Sequence, residues 1–278
     1  MNTIQFNAII RTVKDKNIKF ISNLFNMGMT TSISDKEKEK RVKKNIRFIL
    51  SHFNNQSYNY PKAIKTLKTK GNSVYIQNEK EIINYFLDAD FMDCKINGYP
   101  LHYNNSKKKI YPNFIFIDLD LSLCNICKYP DKKLDYILNE TLRKIEKEIN
   151  GFPTVLWTGD GYHIYQPIEL DTKVFDKEKN ENTTLRNNVE KEFSNQNNKN
   201  NKKFINEFLR FSIKYLTNNQ KNFDYNSIST DYCFTIAPES IASKTDNKVN
   251  INQKWNGHRA NANTILKEFL ILNNGVQF

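Results

Sequence analysis

Asp118 and Asp120 close the apolar run FIFIDLD with a single residue between them. In a strand the side chains alternate, so both carboxylates fall on one side, roughly 6 to 7 Å apart at their Cα atoms, while Ile117 and Leu119 face the other. Two carboxylates placed in this way can hold one or two hard divalent cations through oxygen ligands. An ion pair about 3.5 to 4 Å apart would activate an attacking hydroxyl and neutralise charge on a transferring phosphate. The same spacing also fits a strand that simply ends in a solvated acidic turn. The neighbours raise the chemical alternative: Phe114, Ile115, Phe116, Ile117 and Leu119 are core formers that deliver two like charges to one small region. Like charges at that range oppose each other unless a cation compensates them.

Two later stretches carry further polar groups. In TGDGYHIY, from Thr158 to Tyr165, Gly159 and Gly161 let the backbone turn sharply and bring its N–H groups close to an anion. His163 alternates with Ile164, so it can face a pocket and donate to a triphosphate oxygen, or serve as a structural histidine bonded to backbone. Asp160 would repel a phosphate if it pointed inward, so it should face outward or meet a lysine. In the third stretch, Asp224 lies between Phe223 and Tyr225, followed by Asp231 and by PESIASKT from Pro238 to Thr245. Asp224 can complete a carboxylate set, and Lys244 can contact a triphosphate or a template backbone. Each can equally be an edge-strand aspartate or a solvated lysine.

The elements that must position these groups follow from apolar periodicity. Ser34 and Glu37 have capping-box spacing, and Val42, Ile46, Ile49, Leu50 and Phe53 then keep one helical face apolar. Asn54 to Pro61 reads as a loop, and Glu79 to Leu87 as a short helix buried through Ile82, Ile83 and Phe86. Asn113 to Asp120 is the clearest strand. An amphipathic helix through Leu134, Ile137, Leu138, Leu142, Ile145 and Ile149 ends at Gly151 and Pro153. A strand from Thr154 to Thr158 runs into GDGYHIY and stops before Pro167. Residues 171–203, rich in Asn and Lys with few apolar anchors, read as a long insertion. Helix returns from Lys203 to Leu216, Phe223 to Ile228 is a candidate third strand, and Asn263 to Ile271 is a last helix.

The chain has 278 residues, 38% of them hydrophobic, enough for a core of folded size. Its formal net charge is +12, which attracts phosphate backbones but also fits a lysine-solvated surface of biased composition. No apolar run approaches the ~18 to 20 residues needed to span a bilayer. The N-terminal residues lack a long apolar core with a cleavage site, and four cysteines do not make a disulfide scaffold, so a cytoplasmic location is expected.

Taken in order, the three polar stretches resemble the motifs of the archaeo-eukaryotic primase superfamily. FIFIDLD matches its acidic pair, TGDGYH its small-residue turn leading to a histidine, and FDYNSISTDYCFTIAPESIASKTD its third region. The match covers residues 113–246. The resemblance implies an α+β fold: a primase-polymerase catalytic core with an RRM-like mixed sheet and a packed N-terminal αβ part. It treats 1–278 as one catalytic unit, with 30–110 as the loosely matched N-terminal part and 111–246 as the motif-bearing core. Within that unit, 171–203 is the insertion and 247–278 a C-terminal turn and helix.

The same resemblance makes Asp118, Asp120 and Asp224 ligands of two Mg²⁺ or Mn²⁺ ions. It places Gly159, Gly161, His163, Ser240 and Lys244 on the nucleotide phosphates. The implied activity is template-directed primer synthesis, and possible extension, on single-stranded DNA from NTPs or dNTPs. Partners implied are the template and a helicase or accessory primase subunit, with no membrane. Ile236 and Ala242 stand where many members carry arginine and histidine, and Asp160 where a basic residue is common. Cys124 and Cys127 form a CxxC pair that supplies two of the four ligands a structural Zn²⁺ site needs, with Cys94 or Cys233 as spatial candidates for the rest. The segment Trp255 to Arg259 fits either a clamp on single-stranded template or a packed turn. Two competing functions remain: a two-metal nuclease, and a basic module that binds single strands without catalysis.

Overall fold

The computed structural model describes residues 34–53, 60, 62–99, 112–120, 130–170, 198–218 and 233–273. The candidate strand at 223–228 with Asp224, together with Asp231, Cys124, Cys127 and most of the 171–203 insertion, lies outside these residues. Contacts divide the chain into two units, Met1–Lys40 and Arg41–Phe278. In the first, the Ser34 hydroxyl accepts from the Glu37 amide at 3.3 Å, opening a helix that spans Asp35–Ser51 (α1). In the second, Val42, Ile46, Ile49 and Leu50 are the buried positions that the three- and four-residue spacing selects.

Among the described residues the fold is mixed α+β, with five helices and three sheets. The first sheet contains β1 (Lys62–Lys65), β2 (Val74–Ile76), β3 (Lys95–Asn97) and β7 (Phe234–Ile236), in the order β2-β1-β3-β7 with every pair antiparallel. Helix α2 (Glu79–Asp88) follows β2, its N-terminus capped by the Asn78 side chain. The last strand of this sheet, β7, comes from within the motif-bearing core at 111–246, so the N-terminal αβ part placed at 30–110 is not closed within itself.

The second sheet is built from β4 (Phe114–Asp120), β5 (Thr154–Trp157), β6 (Gly161–Glu169), β10 (Asn250–Gln253) and β11 (Ala260–Asn261). Helix α3 (Pro130–Ile149) links β4 to β5. Both strands pair antiparallel with β6, so they run parallel to each other with β6 between them, a split β-α-β arrangement. Helices α4 (Asn198–Leu216) and α5 (Asn263–Asn273) complete the fold. Phe204 and Phe208 of α4 meet Phe269 of α5 edge-on at 5.3 and 5.7 Å. The Tyr162 hydroxyl donates to Asp135 of α3 at 2.9 Å. A two-residue pair, β8 (Ile241–Ala242) with β9 (Asn247–Lys248), forms the third sheet. No helix among the described residues is long and apolar enough to cross a membrane.

Two sequence expectations change. The strand from Thr154 does not continue into GDGYHIY; it turns back at residues 158–160, making β5 and β6 a hairpin. Nor does Pro167 stop β6, which runs on to Glu169 with Pro167 opposite Phe114. Adjacent N–H groups of a strand point to opposite edges. Ile168 N donates to Asn113 O at 2.9 Å on the β4 side. The donor Pro167 lacks would therefore point to the other edge, where β5 has ended opposite Tyr165 and β11 begins only at Ile168.

In the Trp255–Arg259 segment, polar groups bond within the chain, while Asn256, Gly257 and His258 are exposed. Trp255 Nε1 donates to His258 O at 2.7 Å. The Arg259 guanidinium donates to three backbone carbonyls: Asn113 at 2.6 Å, Ile168 at 3.2 Å and His52 at 3.0 Å.

Lys62 is fully buried in β1, its ammonium 3.5 Å from Gly98 O and 5.2 Å from the centre of the Phe53 ring. Burial pulls its pKa down to about 8. A folded pKa below the unfolded one penalises the fold while the amine is charged. The penalty stands in full below pH 8 and disappears as pH rises toward the ordinary lysine range. Lys62→Met keeps the stem and removes the charge, so we expect about 2–3 kcal/mol of added stability at pH 7. Urea unfolding at pH 7 and pH 9.5 checks this: wild type should gain stability between the two relative to the variant.

Candidate active site

The β4–β6 ladder builds the site. Its register runs from Phe114 opposite Pro167 to Asp120 opposite Gly161, placing Asp118 directly across from His163. Cross-strand partners share a face, so Phe116, Asp118 and Asp120 of β4 lie on the same side of the sheet as Tyr165, His163 and Gly161 of β6. Ile117, Leu119 and Ile164 go into the core on the opposite side, each no more than 1% exposed. The alternation therefore delivers both carboxylates to one face, as the spacing of the acids requires. Asp118 keeps 52% of its side chain exposed, whereas His163 keeps 10%.

His163 is held at both nitrogens. Its Nε2 lies 3.4 Å from Asp118 Oδ1, and its Nδ1 lies 3.4 Å from the Tyr165 hydroxyl. The Phe116 ring stands edge-on to the imidazole at 5.1 Å. Tyr165 is in turn fixed by β7: its hydroxyl donates to Ile236 O at 3.3 Å and accepts from Ile236 N at 3.1 Å. Burial pushes this phenol well above its ordinary range, so it stays protonated.

At Asp118, crowding by protein raises the carboxyl and is the largest single influence. The charge of His163, its hydrogen bond and the charge of Lys95 together outweigh it and hold the group below the usual carboxylate range. Asp118 thus stays ionised in mild acid.

The turn after β5 docks against the β8–β9 turn. Gly159 takes φ +104°, and a Cβ there would lie 2.4 Å from Thr245 Oγ1 and 2.9 Å from Asn247 Cβ. Gly161 faces the Leu119 carbonyl, 2.1 Å from where its Cβ would be. In this structure both glycines permit close protein packing. Lys244 Nζ bonds Asp160 Oδ2 at 2.7 Å, so the aspartate that was to face outward or meet a lysine meets Lys244. That bond, the charge of Asp160 and the charge of Asp120 raise the Lys244 pKa. Lys244 therefore belongs to the same polar cluster as the acidic pair.

Ser240 is elsewhere. Fully buried, its hydroxyl donates to Phe91 O and accepts from Cys94 N, both at 3.0 Å. It ties the turn before β8 to the start of β3 and presents no group to the cluster, contrary to its expected phosphate-side place. The neighbouring Ser243 bonds Asp93 through both its amide and its hydroxyl.

Cys94 and Cys233 are free, buried thiols whose pKa burial pushes up. Among the described residues no three His, Cys, Asp or Glu side chains gather as a metal-binding group. Asp224, the third ligand implied by resemblance, is not among them.

Sequence reasoning missed two members of the cluster. Tyr165 was legible only as the residue alternating with His163, and its role depends on β7. Lys95 acts on Asp118 from another sheet, and no local signal marks it.

No protein-family model matches the chain, and no curated protein sequence matches it.

Proposed function

We propose that the protein is a metal-dependent DNA primase or primase-polymerase, transferring a nucleotidyl group to a 3′-hydroxyl on single-stranded template. The observation that carries this reading is the β4–β6 register, which sets the acidic pair against His163 with Lys244 at the same end of the sheet. The strand order β4-β6-β5, with α3 crossing between β4 and β5, is also that of an RRM-like sheet and supports the same reading.

Asp118 and Asp120 offer carboxylate oxygens on one solvent-reaching face, a donor set suited to Mg²⁺ or Mn²⁺. These two, with Asp224 by resemblance, would hold the ions, which supply activation of the attacking hydroxyl and charge neutralisation at the phosphate. His163, held from behind by Tyr165, presents Nε2 to the face on which the substrate would sit. Lys244 would exchange its bond with Asp160 for a phosphate oxygen as the triphosphate arrives. The paired strands keep these groups in fixed relation, so catalysis would rest on positioning and electrostatics. The net charge of +12 would draw in the template, with a helicase or accessory subunit as a further partner.

The test is incubation of the purified protein with unprimed and primed single-stranded DNA, labelled NTPs or dNTPs, and Mg²⁺ or Mn²⁺. Labelled product that disappears on chelation is the expected result. Shortened template without incorporation would identify a nuclease instead. DNA binding with neither outcome would identify a non-catalytic binding module.

A further inference from the structure

Lys95 belongs to none of the three sequence motifs. In the first sheet it lies directly opposite Lys65 of β1 and directly opposite Ile236 of β7. Residues so paired project to one face. The next row, Ile64, Ile96 and Thr235, is buried on the other. Both lysines are partly exposed, and like charges directly opposite each other destabilise a sheet. Among the described residues neither forms an ion pair with a carboxylate; Lys65 rests its ammonium over the Phe234 ring at 4.5 Å.

The position of this row carries the argument. The Ile236 backbone is bonded in both directions to the Tyr165 hydroxyl, and Tyr165 adjoins His163. The lysines therefore begin where the acidic face of the second sheet ends, and the charge of Lys95 acts on Asp118. Lys244 feels the charge of Asp120 but is already bonded to Asp160. Among the described residues Lys95 has no such bond.

We propose that Lys95, with Lys65 behind it, is a second cationic contact for the phosphates of the incoming nucleoside triphosphate, beside Asp118 as Lys244 lies beside Asp120. This rests on the nucleotidyl-transfer reading above. Two lysines abreast at the acidic centre suit a compact polyanion held next to carboxylates. A polynucleotide backbone needs a longer basic groove, commonly with aromatic platforms.

Binding of a fluorescent nucleoside triphosphate with Mn²⁺, binding of a labelled single-stranded oligonucleotide, and binding of Mn²⁺ alone are measured on wild type, Lys95→Gln, Lys95→Arg and Lys65→Gln. Lys95→Gln should weaken triphosphate binding about tenfold, one lost charge-assisted contact. Oligonucleotide binding should stay near the wild-type value, and Mn²⁺ alone should bind as well or more tightly once a neighbouring cation is gone. Lys95→Arg should restore triphosphate binding, and Lys65→Gln should show a smaller loss. Lys95→Met keeps the stem and replaces Lys95→Gln if the amide disturbs the sheet. Unchanged triphosphate binding in the Lys95 variants overturns the proposal, as does weakening confined to the oligonucleotide. A wild type that binds Mn²⁺ but no triphosphate overturns the nucleotidyl-transfer reading itself, a result visible before any variant is made.

Discussion

Asp118→Ala is expected to lower metal-dependent nucleotide incorporation by about 1,000-fold, the scale seen when one preorganised electrostatic group is removed from a reacting centre. The same change should leave thermal stability almost untouched. Asp118 stands at the exposed end of β4 with 52% of its side chain in solvent, and an ion pair so placed contributes little to folding. Its neighbours on the strand, Ile117 and Leu119, carry the packing and remain. Asp118→Asn should behave alike, since it keeps the shape and loses the charge that a hard cation needs. Incorporation rates at saturating nucleotide, beside melting curves of the same preparations, check the separation. Activity within tenfold of wild type would remove Asp118 from the chemistry.

The second large effect is on the fold. In Gly161→Ala the new methyl group would lie 2.1 Å from the Leu119 carbonyl oxygen and 3.2 Å from the Asp120 Cα. These are backbone atoms of the paired strand, so no side chain can rotate to make room, and the ladder must open where Asp120 and Gly161 face each other. A loss of roughly 3 kcal/mol is expected, with Asp120 displaced even in molecules that remain folded. Gly71→Ala is the control: Gly71 has φ +81° but nothing near its Cβ position, so only backbone strain of about 1–2 kcal/mol is incurred. Denaturant midpoints of the two variants compare steric conflict with conformational strain. Equal losses would show that the β4–β6 contact yields.

The parts of this architecture legible in the sequence are those with sustained local periodicity. FIFIDLD forms a strand whose burial alternates at its acidic end, and α3 buries Leu134, Ile137, Ile145 and Ile149 where the spacing placed them. The spacing of the acids put Asp118 and Asp120 on one face. It could not disclose the register that brings His163 opposite Asp118, because β4 and β6 are separated in sequence by α3 and β5 and no turn of their own fixes how they pair. Strands β1, β2, β3 and β7 have three or four residues each, too few for an alternating pattern to rise above composition. With them went Lys95 and the anchoring of Tyr165, which exist only through pairing between distant segments. Ser240 shows the opposite failure: its motif-like surroundings drew it toward the phosphates, while its hydroxyl satisfies two backbone groups of the interior.

The three carbonyls gathered by Arg259 have a consequence for the order of assembly. They belong to the residue just past α1, the residue before β4, and β6, all of which leave the ribosome before Arg259 does. Asn113 O already accepts from Ile168 N, and Arg259 adds a second donor there while also serving the carbonyls of His52 and Ile168, since a carbonyl sealed without a donor costs free energy. Arg259 is thus a late-arriving cationic latch that ties the end of α1, the residue before β4, and β6 to one guanidinium.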